Sequence, residues 1–480
     1  MTTTTALIDI GGSSVKVSIR DSRTSVLHSY EVETTPLVDG KHIFLRPDEL
    51  FTKVIEAMNL CALKLSEGTQ IESIYISTLR QGFCLISRNR ELTPLYLNSD
   101  TSGDNAKSDI EKYGSDRIYN ETGHWFAPQL TLPKLINLFR VSPELRVENP
   151  TLLFVHDWLA WKFTGELVTE MTLVSAGQMA DIANKEINFE LLGNFDIPLD
   201  LLPKPKSFGE TISHVQRDLR EKLSPHWSLA KVCTGGGDSH FLHMGASGNK
   251  SGKVVVSAGS STPISLLHQT LGSSSALKPW KSTAFVKDAY LLEGNLGYPG
   301  SFYGWLSKNT EDAFLDDVLN IKNLSKAPTV FGSCNMWNEN KWESRPAFSI
   351  MGDFSGLSST DLALGLTLDY GFSLANQLFE LKKDNYFMDE IILTGGGANS
   401  KLQAILSCLI DVPVRFLDTQ NSIKNLFDQL EGQISGVKLQ DFDAEILDSE
   451  SREYLVDRAR SHALLYSEFE GTRRVLENAR

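Results

Sequence analysis

Three β-forming runs in this chain end in glycine clusters flanked by small polar residues: ALIDIGGSS from Ala6, VCTGGGDS from Val232 and EIILTGGGANS from Glu390. A strand that breaks into consecutive glycines turns sharply and presents backbone N–H groups rather than side chains. One such turn carries little information, because glycine serves bends everywhere. Three of them, each after a strand and each beside Ser, Thr, Asp or Asn, supply N–H and hydroxyl donors to a single anionic ligand such as a nucleotide triphosphate if they converge.

The segments between the turns alternate strand and helix. ALIDIGGSSVKVSI reads as a β-hairpin with small residues at its bend, SVLHSYEVET as the next strand, and HIFLRPDELFTKVIEAMNLCALKL enters a helix by its apolar spacing. IESIYISTLRQGFCLISRNRELTPLYLNSD reads as a strand, a loop and two strands around the turn at RNRE. PKLINLFRVSPELRVENPTLLFVHDWLAWKFTGE predicts helix in two pieces, broken at Pro143 and Pro150. After GGGD comes a short helix, then a second hairpin with the bend SAGSS; after TGGGAN comes an amphipathic helix and a last short strand. The second half thus reopens with the grammar of the first, although the internal identity is too weak for a repeat. At 480 residues the chain exceeds what one core serves, so two α/β domains of related topology are expected, residues 1–243 and 244–480. The charged, helix-periodic tail from Gln440 reads as a solvated C-terminal helix.

A net charge of −14 with no long Lys/Arg run argues against a nucleic-acid partner. It does not argue against ATP, whose phosphates are held by N–H groups and a metal ion. Cys61, Cys84, Cys233, Cys334 and Cys408 lie far apart without zinc-like spacing, as expected of buried thiols in a reducing compartment. The most apolar run, TLLFVHDWLAWKF, is interrupted by His156 and Asp157, so a cytoplasmic protein without a membrane span is expected.

In order along the chain, DIGGSSVK resembles the first phosphate motif of the FGGY carbohydrate kinases, and HDWLAWKFTGELVTE their aromatic stretch closed by Thr-Gly. GGGDSHFLHMGAS is similar to their catalytic Asp segment, SAGSST to their second phosphate hairpin, and TGGGANSKLQAILSCLIDVPV to their adenosine motif. The resemblance runs from Ala6 to about Val414. It implies an α/β, two-lobed actin-like ATPase (ribonuclease H-like) fold with an interlobe cleft, the first lobe binding mainly sugar and the second mainly ATP. The implied reaction moves the γ-phosphoryl of MgATP to a hydroxyl of a small sugar or polyol. Homodimers are common in the family, and a homodimer is the assembly it implies.

Carried over residue by residue, the resemblance makes Asp238 the catalytic base at the acceptor hydroxyl and Asp9 a holder of Mg²⁺. Gly11, Gly12, Ser13 and Ser14, with Gly259, Ser260 and Ser261, would line the terminal phosphates; Gly396, Gly397 and Asn399 would pack on adenine and ribose. Asp after three glycines also serves as a turn or helix N-cap, and Asp9 also reads as an ordinary turn residue. TLRQG stands where xylulokinase-like members carry Gln-Met-His-Gly, and its Arg80 resembles kinases acting on autoinducer-2, an open-chain five-carbon ketone. LNSDTSG is similar to their Asn-x-Asp-x-Arg element, with Ser102 in place of Arg. Arg80 and Asp100 are therefore candidate acceptor contacts, with Gln81 and Trp125 weaker ones, and a ketopentose or autoinducer-2-like compound the candidate acceptor. A surface salt bridge explains Arg80 and Asp100 equally well. Departures stand beside the matches: Gly12 where many members have Thr, TQNSIKNLFDQLEG where a small-residue Ala-x-Gly-Ala-Ala segment is usual, and no match over 309–351. Of two other readings, a non-catalytic ATP- or sugar-binding regulator is opposed by retention of Asp9 and Asp238. A dinucleotide oxidoreductase is opposed by the lack of a G-x-G-x-x-G opening a helix.

Overall fold

The computed structural model describes residues 4–21, 24–259, 261–272, 278–297, 299–309, 321–332, 349–353, 355–432, 437, 439 and 447–478. Ser260, and 310–320 and 333–348 of the unmatched region, lie outside them. The chain gathers into two compact units: Met1–Gly245, Lys281–Tyr290 and Ile423–Ser435 in unit 1, and Ala246–Trp280, Leu291–Ser422 and Gly436–Arg480 in unit 2.

Unit 1 is built on β1 (Thr5–Ile10), β2 (Ser14–Arg20), β3 (Leu27–Glu33), α1 (Pro47–Ala62), β4 (Ser73–Thr78) and β5 (Phe83–Ser87). It continues with α2 (Thr131–Val141), β6 (Thr151–Phe154), α3 (Val155–Thr164), α4 (Met171–Ala176), β7 (Thr211–His214), β8 (Lys231–Gly237) and α5 (Asp238–Ser247). Its main sheet runs β7-β8-β4-β1-β2-β3. β4 is parallel to both β1 and β8, and the β1–β2–β3 meander is antiparallel. The strand period sorts the apolar residues onto both faces. Ala6, Ile8, Ile74, Ile76 and Val232 join Val54 and Met58 of α1 in one core. Leu7, Tyr75 and Cys233, one residue out of phase, join Phe241 and Phe427 in another. A sheet covered on both faces is what parallel central strands require.

The reading of TLLF as helix is corrected. TLLF does not continue a helix; it is β6, antiparallel to β5, and α3 begins only at Val155. A four-residue apolar run is ambiguous by itself, and the β5 edge decides it.

Unit 2 repeats the plan with β9 (Lys253–Ser257), β10 (Pro263–His268), α6 (Ser359–Lys383), β11 (Glu390–Thr394), α7 (Ser400–Leu409) and β12 (Val414–Leu417). β9 and β10 form the antiparallel hairpin, and β9, β11 and β12 run parallel. Then follow α8 (Thr419–Leu430), along which the chain passes back to unit 1, and α9 (Ser449–Asn478). α9 is less solvated than its charge predicts. Ser451, Leu455 and His462 are buried, and His462 Nε2 lies 2.9 Å from Asp369 Oδ1. Among the described residues no helix is long and apolar enough to cross a membrane, and Cys61, Cys84 and Cys233 are buried free thiols.

Candidate active site

The C-terminal ends of β1, β4 and β8 lie side by side, and parallel-sheet ligands bind at that edge. Asp9 pairs in register with Ser77, and Ser77 with Gly236, so the turns after the three strands emerge together. They carry Gly11–Ser14, Arg80–Gln81 and Asp238 respectively. Asp9 is half-buried and accepts from Ser77 Oγ at 2.6 Å. Burial raises its pKa to about 6; the Ser77 bond opposes this, and the charge of Asp238 adds to it. The bend is closed by Gly11 N–H donating to the Ser14 carbonyl at 3.0 Å, with Gly12 and Ser13 exposed. A Cβ at Gly12 would meet nothing nearer than Asn98 Oδ1 at 4.0 Å, so the bend is open to a ligand.

Asp238 is the first residue of α5. Its Oδ1 accepts from Ser239 N–H at 2.8 Å, and its side chain is still 45% exposed. Arg80 Nε lies 3.6 Å from the same oxygen. The Arg80 stem crosses Gly237, where a Cβ would stand 2.8 Å from Arg80 Cγ. Gln81 holds a left-handed φ of 63° and is 4% exposed. Its carbonyl accepts from Thr131 Oγ1 at 3.1 Å and Lys134 Nζ at 2.8 Å, while its amide nitrogen is buried without a protein partner. Lys134, which sequence reasoning missed, also donates to the Leu97 carbonyl at 2.8 Å, and burial lowers its pKa to about 7. Asp100 is fully buried. Its oxygens accept from Ser102 N–H at 2.9 Å, Ser102 Oγ at 2.5 Å and Ile43 N–H at 3.0 Å, and His42 Nδ1 lies 3.3 Å away. In this structure Asp100 is occupied in building its loop, and Trp125, 1% exposed, is a core residue.

Other neighbours of β8 went unread in the sequence. Glu170 caps α4, accepting from Thr172 N–H at 2.7 Å, and burial raises its pKa to about 8. A Cβ on Gly236 would stand 2.8 Å from Thr172 Oγ1 and 3.0 Å from Glu170 Oε2. His240 donates from Nε2 to the Thr283 carbonyl at 2.8 Å, and burial lowers its pKa to about 3. His156 and Asp157, noticed only as interruptions of an apolar run, form a buried pair at 2.8 Å.

In unit 2 the turns after β9 and β11 are one structure. Ala258 donates to the Thr394 carbonyl at 2.7 Å and accepts from Gly397 N–H at 2.8 Å. A Cβ at Gly395, where φ is +90°, would stand 2.6 Å from the Ala258 carbonyl oxygen, and one at Gly397 3.2 Å from it. Gly396 has nothing within 4 Å. Gly259 is exposed and Ser261 half-buried. Asn399 caps α7, its Oδ1 accepting from Leu402 N–H at 2.9 Å and its Nδ2 donating to the Gly397 carbonyl at 3.2 Å. Gly259, Ser261, Gly396, Gly397 and Asn399 are thus gathered at one end of unit 2, beside the positive end of a helix.

Among the described residues no three His, Cys, Asp or Glu side chains are grouped to cage a metal. The carboxylate of Asp9 fits Mg²⁺, which is usually bound by one or two carboxylates together with waters and substrate phosphates.

The model of the N-terminal domain of the FGGY family of carbohydrate kinases matches residues 5–245. A probable glycerol kinase of Caenorhabditis elegans is 27% identical over 229 residues, 44% of this chain and 45% of that protein, so the match spans less than half of the relative's length. The xylulose kinase of Lactobacillus acidophilus superposes with a TM-score of 0.81 at 17% identity, covering 98% of each chain. The Plasmodium falciparum glycerol kinase with ADP does so at 0.79 and 18%, covering 96% of this chain and 98% of that one. At these identities the superpositions establish the fold: two-domain, α/β and actin-like.

Proposed function

The chain belongs to the FGGY family of carbohydrate kinases, and from that premise we propose that it transfers the γ-phosphoryl group of MgATP to a hydroxyl of a small sugar or polyol. The observation that carries the reading is the placement of Asp9, near the end of β1, and Asp238, directly after β8, at one sheet edge on either side of β4, close enough for the charge of Asp238 to raise the pKa of Asp9. Asp238 is reachable from solvent and takes the proton of the acceptor hydroxyl as its oxygen bonds to the γ-phosphorus and ADP departs. Asp9 holds Mg²⁺, which when bound neutralises charge on the phosphate oxygens. Gly11, Gly12, Ser13 and Ser14 present donors to the terminal phosphates, as do Gly259, Ser260 and Ser261 of the second hairpin. Gly396, Gly397 and Asn399 receive the nucleoside. In domain terms, the first unit is mainly the acceptor-binding lobe and the second mainly the ATP lobe, and the ADP held by the Plasmodium relative supports that nucleotide.

Arg80 and the unpartnered amide of Gln81 are the acceptor contacts best placed to discriminate, and Asp100 acts through the loop it holds. A ketopentose or an autoinducer-2-like ketone fits the Arg80 match. The test is ADP release with MgATP across ketopentoses, hexuloses, polyols and the autoinducer-2 precursor. Asp238→Asn should lower kcat by roughly 10²–10⁴-fold and keep nucleotide binding, since a base acts in the transition state. Asp9→Asn should raise the Mg²⁺ requirement. Wild-type turnover in Asp238→Asn refutes the base assignment, and silence across the panel with ATP bound refutes the kinase reading for these acceptors.

A further inference from the structure

We infer that His156 and Asp157 are a positioning pair that aims Asp238, acting through the extra residue they secure in β8. The inference rests on Asp238 being the base. β8 loses register against β4 between Cys233 and Gly236: Tyr75 and Ser77, two apart, face residues three apart. One residue is therefore surplus, and a bulge of this kind re-aims whatever follows it. Asp238 follows directly after Gly236 and Gly237.

Three glycines in a row cannot fix such a bulge with side chains of their own. Gly235 packs so closely that a Cβ would fall 1.8 Å from the Ile76 carbonyl oxygen. Its N–H points to His156, donating to Nε2 at 2.9 Å. With Nε2 accepting, the imidazole proton sits on Nδ1 and is donated to Asp157 Oδ1 at 2.8 Å. Asp157 Oδ2 in turn accepts from Phe154 N–H at 3.3 Å, anchoring the pair to the start of α3. Both side chains are completely buried. The chain of bonds thus runs from a helix N-terminus through a fixed tautomer to the Gly235 N–H, within the stretch where β8 loses register. Small displacements of a reacting group cost large factors in rate, on the order of 10²-fold for 1 Å.

Two substitutions divide the pair's bonds. Glutamine at 156 places an amide oxygen where Nε2 stands and keeps the bond to Gly235; asparagine reaches only the Nδ1 position and keeps the bond to Asp157. With the acceptor giving the most ADP release, His156→Asn should lower kcat roughly 10–100-fold with the MgATP KM within about twofold, and His156→Gln should recover most of it. In crystal structures the Asp238 carboxylate should shift in His156→Asn and stay in His156→Gln. Equal kcat in the two folded variants, or an unmoved Asp238 in His156→Asn, overturns the inference. Asp238→Asn run alongside separates the premise from it: if that variant turns over like wild type, the base assignment fails whatever happens at 156.

Discussion

Gly235, inside β8, and Gly12, in the bend after β1, lie near the same sheet edge, yet only one of them has to be glycine. A Cβ at Gly235 would lie inside the Ile76 backbone, whereas Gly12 has open space. Gly235→Ala should therefore cost several kcal/mol or abolish soluble expression, while Gly12→Ala should stay within about 0.5 kcal/mol in thermal unfolding. A tolerated Gly235→Ala would mean that the bulge is not where β8 places it. Glu170 offers a prediction with a sign. Its folded pKa of about 8 lies above the 4.5 of a free Glu, so the folded state holds the proton more tightly, and ionisation works against folding as pH rises from 4.5 to 8. Glu170→Gln keeps an acceptor for Thr172 N–H and has no charge to bury. Relative to wild type it should gain stability steadily between those pH values, by at most about 4 kcal/mol. Urea unfolding of both proteins at pH 5 and pH 8 measures this, and a difference independent of pH would show that Glu170 is not proton-linked to folding.

At the scale of elements, α8 is the segment whose sequence departed from the family pattern, and its place in the fold gives that sequence a reason. Ile423, Leu426, Phe427 and Leu430 lie on one helical face and pack with Leu7, Tyr75, Phe241 and Met244. Beside them Arg20 of β2, 11% exposed, pairs with Asp428 and with Glu431, which is 4% exposed. Phe427→Ala should cost about 3–5 kcal/mol through the cavity it leaves. Arg20→Leu should cost about 3 kcal/mol, because Glu431, 4% exposed, loses the opposing charge of Arg20. A double-mutant cycle with Glu431→Leu should return more than 1 kcal/mol of coupling, and additive effects would make the pair incidental. None of this was legible beforehand, since amphipathic spacing says that a helix has an apolar face and not what covers it. The hairpins and glycine turns were legible because period-two alternation and turn chemistry are local. What was hidden depends on contacts distant in sequence: TLLF taken up by the β5 edge, Lys134 buried against two loop carbonyls, and His156 placed under β8.

Across the whole molecule, the two units are not two stretches of chain. Unit 1 takes Lys281–Tyr290 and Ile423–Ser435 from within unit 2's sequence, although the family match ends at residue 245. Those returning segments bring Thr283, which receives the His240 proton bond, Phe285, stacked on Phe208 at 3.9 Å, and Phe427, a fully buried side chain. A fragment ending at Gly245 would expose Leu7, Tyr75, Phe208, Phe241 and Met244 as one apolar surface, and a patch of that kind drives association. Residues 1–245 expressed alone should therefore lack a cooperative thermal transition and aggregate, even though they contain Asp9, Arg80, Gln81 and Asp238. Linking 419–432 to that fragment by a flexible tether should restore part of the transition, because α8 covers the exposed face. Phe427→Ala in the tethered fragment should remove the gain. If residues 1–245 unfold cooperatively near the temperature of the full chain, the returning segments contribute little, and the face of the sheet beneath Phe427 is stable without its cover.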